Sequence, residues 1–187
     1  MCQIPKKQNR ISSIDLIIIS VLCSICSVIR IIFHHIPYIT PFTALVIIIG
    51  SYLGPYYGFS VGALSILVSN FILGQGLWTI FQMIAIAIVG CLSGIFFKNS
   101  RHKNIPRTLL CIWGIFSANI IYGVILSLYE FVFIYNKIFD PFQFFAIYLA
   151  STLTSGIWHA ASTIFCLLFF FDPIGKVLIS NKFYKNN

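Results

Sequence analysis

The stretch SNFILGQGLWTIFQM, residues 69–83, gathers Asn70, Gln75, Trp78, Thr79 and Gln82 around Gly74 and Gly76. Amides, a hydroxyl and an indole hold a small molecule through hydrogen bonds and flat apolar contact, the usual makeup of a binding wall. Other polar side chains interrupt long apolar runs elsewhere. They are Arg30 with His34 and His35, Asn119 with Tyr122, Tyr129 with Glu130, and Thr154 with His159.

Other chemistries fit these residues less well. Ser65 in GALS and His159 in WHA evoke the dyad of a rhomboid-type serine protease. Yet Ser65 sits in GALSIL without a glycine-flanked nucleophile setting, and no oxyanion donor is identifiable. His34, His35, His102 and His159 lack metal-ligand spacing and carboxylate company. Cys23 and Cys26 form a C-x-x-C with no second pair, and Cys2, Cys91, Cys111 and Cys166 are scattered, so the thiols read as small apolar fillers. No G-x-x-x-x-G-K-[ST] phosphate loop is present.

The elements that position these residues follow from composition. The 187 residues are 59% hydrophobic, 17% aromatic and only 9% charged. A soluble domain carries about a quarter charged residues, so this chain has too few to build a water-facing surface. Lipid is the alternative solvent, and a span needs about 20 apolar residues. Six spans are expected, over residues 14–33, 42–53, 57–73, 80–97, 108–134 and 144–171, in one membrane domain covering residues 1–187. The runs lack period-2 alternation, which favours helices over a barrel. The second span is short, and GPYYG alone separates it from the third.

Lysine and arginine set the expected orientation. Lys6, Lys7, Arg10, Lys98, Arg101, Lys103, Arg107, Lys176, Lys182 and Lys185 fall on one side, ten of the twelve. Lys137 alone falls on the other, and Arg30 lies within the first span. Both termini are therefore expected in the cytoplasm. The net charge of +8 is a topology signal and not a nucleic-acid footprint. LGQGLWT becomes an external turn, and the polar groups above gather in the outer half of the membrane. Intramembrane polar residues usually face a cavity or a partner helix, so a pocket open to the outside is expected. A channel-like or purely structural subunit would instead spread polar residues through the full depth of a pore.

GPYYGFSVGALSILVSNFILGQGLWTIFQM, residues 54–83, resembles the signature of substrate-binding S components of energy-coupling factor (ECF) transporters. Gly54, Pro55, Gly58, Phe59, Gly62, Ala63, Leu64 and Ser65 match its first half, and Gly74, Gly76, Trp78, Gln82 and Met83 its second. ANIIYG (118–123) and GIWHAASTIF (156–165) are similar to later segments of that family.

The resemblance implies an all-α, six-helix membrane bundle in a prokaryotic cell membrane. It also implies a vitamin-like ligand near the outer face and no catalysis by the chain itself. The implied partners are a transmembrane coupling subunit and two cytoplasmic ATPase subunits, which use the ATP; the chain needs no cofactor. A docking face of small residues four apart on the first helix corresponds to Ser20 and Ser24, serines where the family usually has alanines. The expected ligand-binding set is Arg30, Asn70, Gln75, Trp78, Gln82, Asn119, Tyr122 and His159, with Trp158 as a further flat surface.

Overall fold

The computed structural model describes residues 12–36, 41–97, 105–134 and 140–180. Nine of the basic residues used for orientation lie outside the described residues: Lys6, Lys7, Arg10, Lys98, Arg101, Lys103, Lys137, Lys182 and Lys185. His102 and Cys2 lie outside them too.

Six helices follow one another, and the described residues contain no strand. The first is Ser13–Phe33, the second Pro41–Leu53, the third Pro55–Leu73 and the fourth Leu77–Phe96. The fifth (107–134) and sixth (141–180) are continuous but change winding along their length. Five of the six are long and apolar enough to cross a membrane. Ser12 opens the first helix with a capping box: its backbone N–H donates to Asp15 Oδ2 at 2.9 Å, and its hydroxyl accepts from Ile14 N. Asp15 Oδ1 also accepts from the Tyr57 hydroxyl, which ties the starts of the first and third helices together.

The short second helix explains the packing. Its 13 residues span only about 20 Å, well short of a bilayer core of about 30 Å. Protein surrounds it instead of lipid, and all but Pro41 and Leu45 are buried. Ala44, Ile47, Ile48 and Tyr52 pack towards Trp113, Leu167 and Phe171 of the fifth and sixth helices. Its opposite face, with Phe42, Val46, Ile49 and Leu53, packs towards Ile19, Val61 and Ile86. One central helix thus joins the two halves of the bundle.

Close approach makes this possible. A Cβ on Gly58 would collide with the backbone of Gly90, and one on Gly50 would meet the same carbonyl. The second, third and fourth helices therefore cross at bare backbone, as small residues allow between membrane helices. Gly54 alone connects the second and third helices at φ 111°, and Gly74 ends the third at φ 112°, a region other residues rarely adopt. The outer surface is apolar, as lipid requires: Ile17, Phe71, Ile72 and Phe142 are largely exposed.

The sixth helix runs further than the apolar pattern indicates, through Pro173 to Ser180. The Tyr52 ring packs against Phe171, with centroids 5.0 Å apart, and lies where a Cβ on Gly175 would fall. That contact holds the extra turns despite the hydrogen bond that proline removes.

Candidate functional site

Arg30 continues the buried face of the first helix after Ile19, Cys23, Cys26 and Ser27. Those spacings follow the 3.6-residue period, so the guanidinium points into the bundle and not towards lipid. Below it, Ser27 Oγ donates to the Ser65 carbonyl at 3.2 Å and joins the first and third helices.

Arg30 Nη1 donates to Ser69 Oγ and to Asn70 Oδ1, both at 2.6 Å, and Nη2 donates to Gln82 Oε1 at 3.2 Å. Asn70 Nδ2 donates to Thr79 Oγ1 at 2.9 Å and to Gln82 Oε1 at 3.1 Å. The turn over residues 74–76 makes this geometry, because it brings Asn70, one turn before it, opposite Thr79 and Gln82 just after it. Gln82 Nε2 then donates to the Tyr122 hydroxyl at 3.4 Å. The Tyr122 ring meets the His159 ring edge to face, with centroids 5.3 Å apart, and His159 Nε2 lies 2.9 Å from Thr43 Oγ1. One polar chain thus threads all six helices at a single end of the bundle. The acceptors of Arg30, Ser69, Asn70 and Gln82, are all uncharged, so its positive charge meets no carboxylate among the described residues.

Two hollows flank the chain and share Tyr122 and His159. The smaller, about 120 Å³, is lined by Arg30, His34, Thr43 and Ile86 as well. The larger, about 330 Å³, lies between the fifth and sixth helices, with Asn119, Glu130, Ser151 and Ser155 in its wall. Its wall includes π-helical turns of both helices, Phe116–Gly123 and Thr152–Gly156. Such wider turns are rare and occur often at functional sites. Asn119 Oδ1 is buried without a hydrogen-bond partner. A Cβ on Gly156 would come within 2.6 Å of that oxygen, so the amide packs against this helix only because the residue is glycine.

A family model for the ECF transporter, substrate-specific component, matches residues 15–171. The chain belongs to this family. It is a multi-pass membrane protein, a transport subunit that confers substrate specificity and works with other ECF transporter subunits. No curated protein and no solved structure matches the chain.

Within this S component, the structure brings together Arg30, Asn70, Gln82, Tyr122 and His159, and places Asn119 in the larger hollow. Gln75 and Trp78 stand apart from both hollows. Gln75 is exposed and donates to the Leu67 carbonyl at 3.3 Å. The Trp78 ring folds back over Gly76 and is 41% exposed, and Trp158 is 60% exposed. Tyr129 packs with Phe81 and Phe133. Thr154 bonds back to the Ala150 carbonyl within its own helix.

Ser65, the nucleophile of the protease reading, is fully buried with its hydroxyl on the Val61 and Cys23 carbonyls, while His159 is bonded to Thr43. The structure does not make that dyad. Sequence reading missed Ser69, Thr43, Ser151 and Ser155. Ser69 adjoins Asn70 and was open to notice; a lone Thr43 at a helix start gave no signal.

Proposed function

We propose that this S component binds a vitamin or related small molecule in the hollows around Tyr122 and His159. We further propose that it delivers the molecule inward with a transmembrane coupling subunit and two ATP-using cytoplasmic ATPase subunits in a prokaryotic cell membrane. One observation carries the reading: a chain of polar side chains from all six helices, joined by hydrogen bonds and one ring contact, is flanked by two hollows that share the Tyr122–His159 pair of that contact. The larger hollow is at the lower end of the size range of small-molecule sites.

Each group has a task in this reading. Ser69, Asn70 and Gln82 aim the Arg30 guanidinium, which receives an anionic or strongly accepting part of the substrate. Tyr122 supplies a flat face, Asn119 a free amide edge, and His159 a ring fixed by Thr43. Gln75 and Trp78 belong to the hairpin that caps this end of the bundle, and in this proposal they reach the substrate when the hairpin folds over it. Ser20 and Ser24 lie exposed on the first helix with their hydroxyls turned back onto Leu16 and Ser20 carbonyls. That leaves a smooth small-residue strip for the coupling subunit to approach.

Native mass spectrometry of the detergent-purified chain tests the site. The wild type should retain a small molecule that Tyr122→Ala and His159→Ala lose while remaining folded. Undiminished occupancy in both folded variants would refute this location.

A further inference from the structure

The chain has four acidic residues: Asp15, Glu130, Asp140 and Asp172. Asp15 is committed to the first-helix cap and to Tyr57. Asp140 caps the sixth helix through the Phe142 N–H at 3.0 Å. Asp172 stands at the far end of the bundle, in the wall of a separate hollow with Arg107. Glu130 is the one acid in the wall of the larger hollow, half-buried, with no hydrogen-bond or ion-pair partner among the described residues. An unpaired carboxylate at membrane depth is costly unless something positive or donating meets it.

The same wall holds Asn119, whose Oδ1 is buried against Gly156 without a hydrogen-bond partner. Its remaining polar lining, Tyr122, Ser151, Thr152, Ser155 and His159, brings no positive lysine or arginine to answer Glu130. Arg30 lies in the wall of the other hollow, beyond the shared Tyr122–His159 pair. The two hollows thus have opposite poles.

We infer that Glu130 pairs with a protonated nitrogen of the substrate, so that the transported molecule is dipolar, with its basic nitrogen at the Glu130–Asn119 wall and its accepting end towards Arg30. This rests on the substrate site proposed above and adds the substrate's charge class and a role for Glu130. Asn119 Oδ1, which no protein bond holds against Gly156, turns outward to accept a second hydrogen from the same nitrogen or its neighbour. A charge-assisted contact of this kind changes affinity about ten- to hundredfold when one partner is neutralised.

The test uses the full chain in detergent, expressed in rich medium. Molecules released from the wild type are identified by mass spectrometry. Thermal stabilisation is measured in parallel with pyridoxamine, pyridoxine and 4-pyridoxate, which share a ring nitrogen and differ in an ammonium, a hydroxyl or a carboxylate beside it. Pyridoxamine should stabilise the wild type most and lose that margin in Glu130→Gln, and a larger effect of 4-pyridoxate would count against the inference. The released molecule should contain a basic nitrogen, its occupancy should fall at least about tenfold in Glu130→Gln, and Glu130→Asp should keep part of it. Equal melting of the empty wild type and Glu130→Gln proteins excludes misfolding as the cause. A released molecule without a basic nitrogen, or full occupancy in Glu130→Gln, overturns this inference and leaves the binding function standing. A wild type that releases nothing and is stabilised by none of the three probes overturns both.

Discussion

Replacing Asn70 with alanine tests whether the polar chain organises this end of the bundle. The side chain is 2% exposed and makes three bonds, one from the Arg30 guanidinium at 2.6 Å and two to Thr79 and Gln82 at 2.9 and 3.1 Å. In water-soluble proteins a bond to a charged group contributes about 1.5–3 kcal/mol and a neutral one about 0.5–1.5 kcal/mol. Between membrane helices the average is nearer 0.6 kcal/mol, because the unfolded reference state also finds partners. Weighing both, the loss should be about 2–4 kcal/mol, a large part of the stability of a small protein. Asn70→Asp keeps an acceptor for Arg30 and should lose less than half as much. Gln75→Ala removes one exposed bond of 3.3 Å and should change stability by less than about 0.5 kcal/mol. Equilibrium unfolding of the three variants in one detergent compares them directly. If Asn70→Ala costs no more than Gln75→Ala, the network is a bystander and Arg30 is positioned by something else.

Gly58→Ala should destabilise by about 1–3 kcal/mol in the same assay, because its methyl would meet the Gly90 backbone, which cannot rotate away as a side chain can. Ser20→Leu and Ser24→Leu should abolish uptake by the assembled transporter yet leave retention of the small molecule by the isolated chain intact; normal copurification of the other subunits with both variants would remove this face from the docking surface. Reporter fusions after Asn104 and Asn187 should read cytoplasmic and one at Gln75 external, as the distribution of lysine and arginine requires; an external signal at Asn104 would invert the bundle and place the polar end inside.

Helix positions were legible because lipid leaves the backbone few options, and the spans end within a few residues of the apolar runs except where Tyr52 extends the sixth helix through Pro173. The link from Arg30 to Asn70 and Gln82 was legible for a similar reason. Three polar groups at one depth, two flanking a glycine turn, have few partners but each other. Trp78 shows the limit of that logic. Four residues before Gln82, it lies near the same helical face, but its ring turns back over Gly76, a choice of rotamer that spacing does not report.

The larger hollow was hidden for a reason of periodicity. Ala118, Tyr122, Leu126 and Glu130 line it at strict intervals of four, and so do Ser151, Ser155 and His159 on the facing helix. On a regular α-helix each step of four drifts by about 40°, so Glu130 would stand about 120° away from Ala118. The two stripes then look like parts of different faces, and Glu130 looks like a charge near a loop. The π-helical turns at 116–123 and 152–156 wind the chain less tightly and offset part of that drift, so residues four apart line one hollow. Leu126 apart, the two walls are made of small or polar residues, with Asn119, Gly123, Thr152 and Gly156 beside the stripes. Small side chains on both facing walls leave the space that Asn119, Tyr122, Glu130 and His159 line. A four-residue repeat of small and polar residues in two consecutive spans is therefore the sequence signal for this hollow, readable once the helix is allowed a period longer than 3.6.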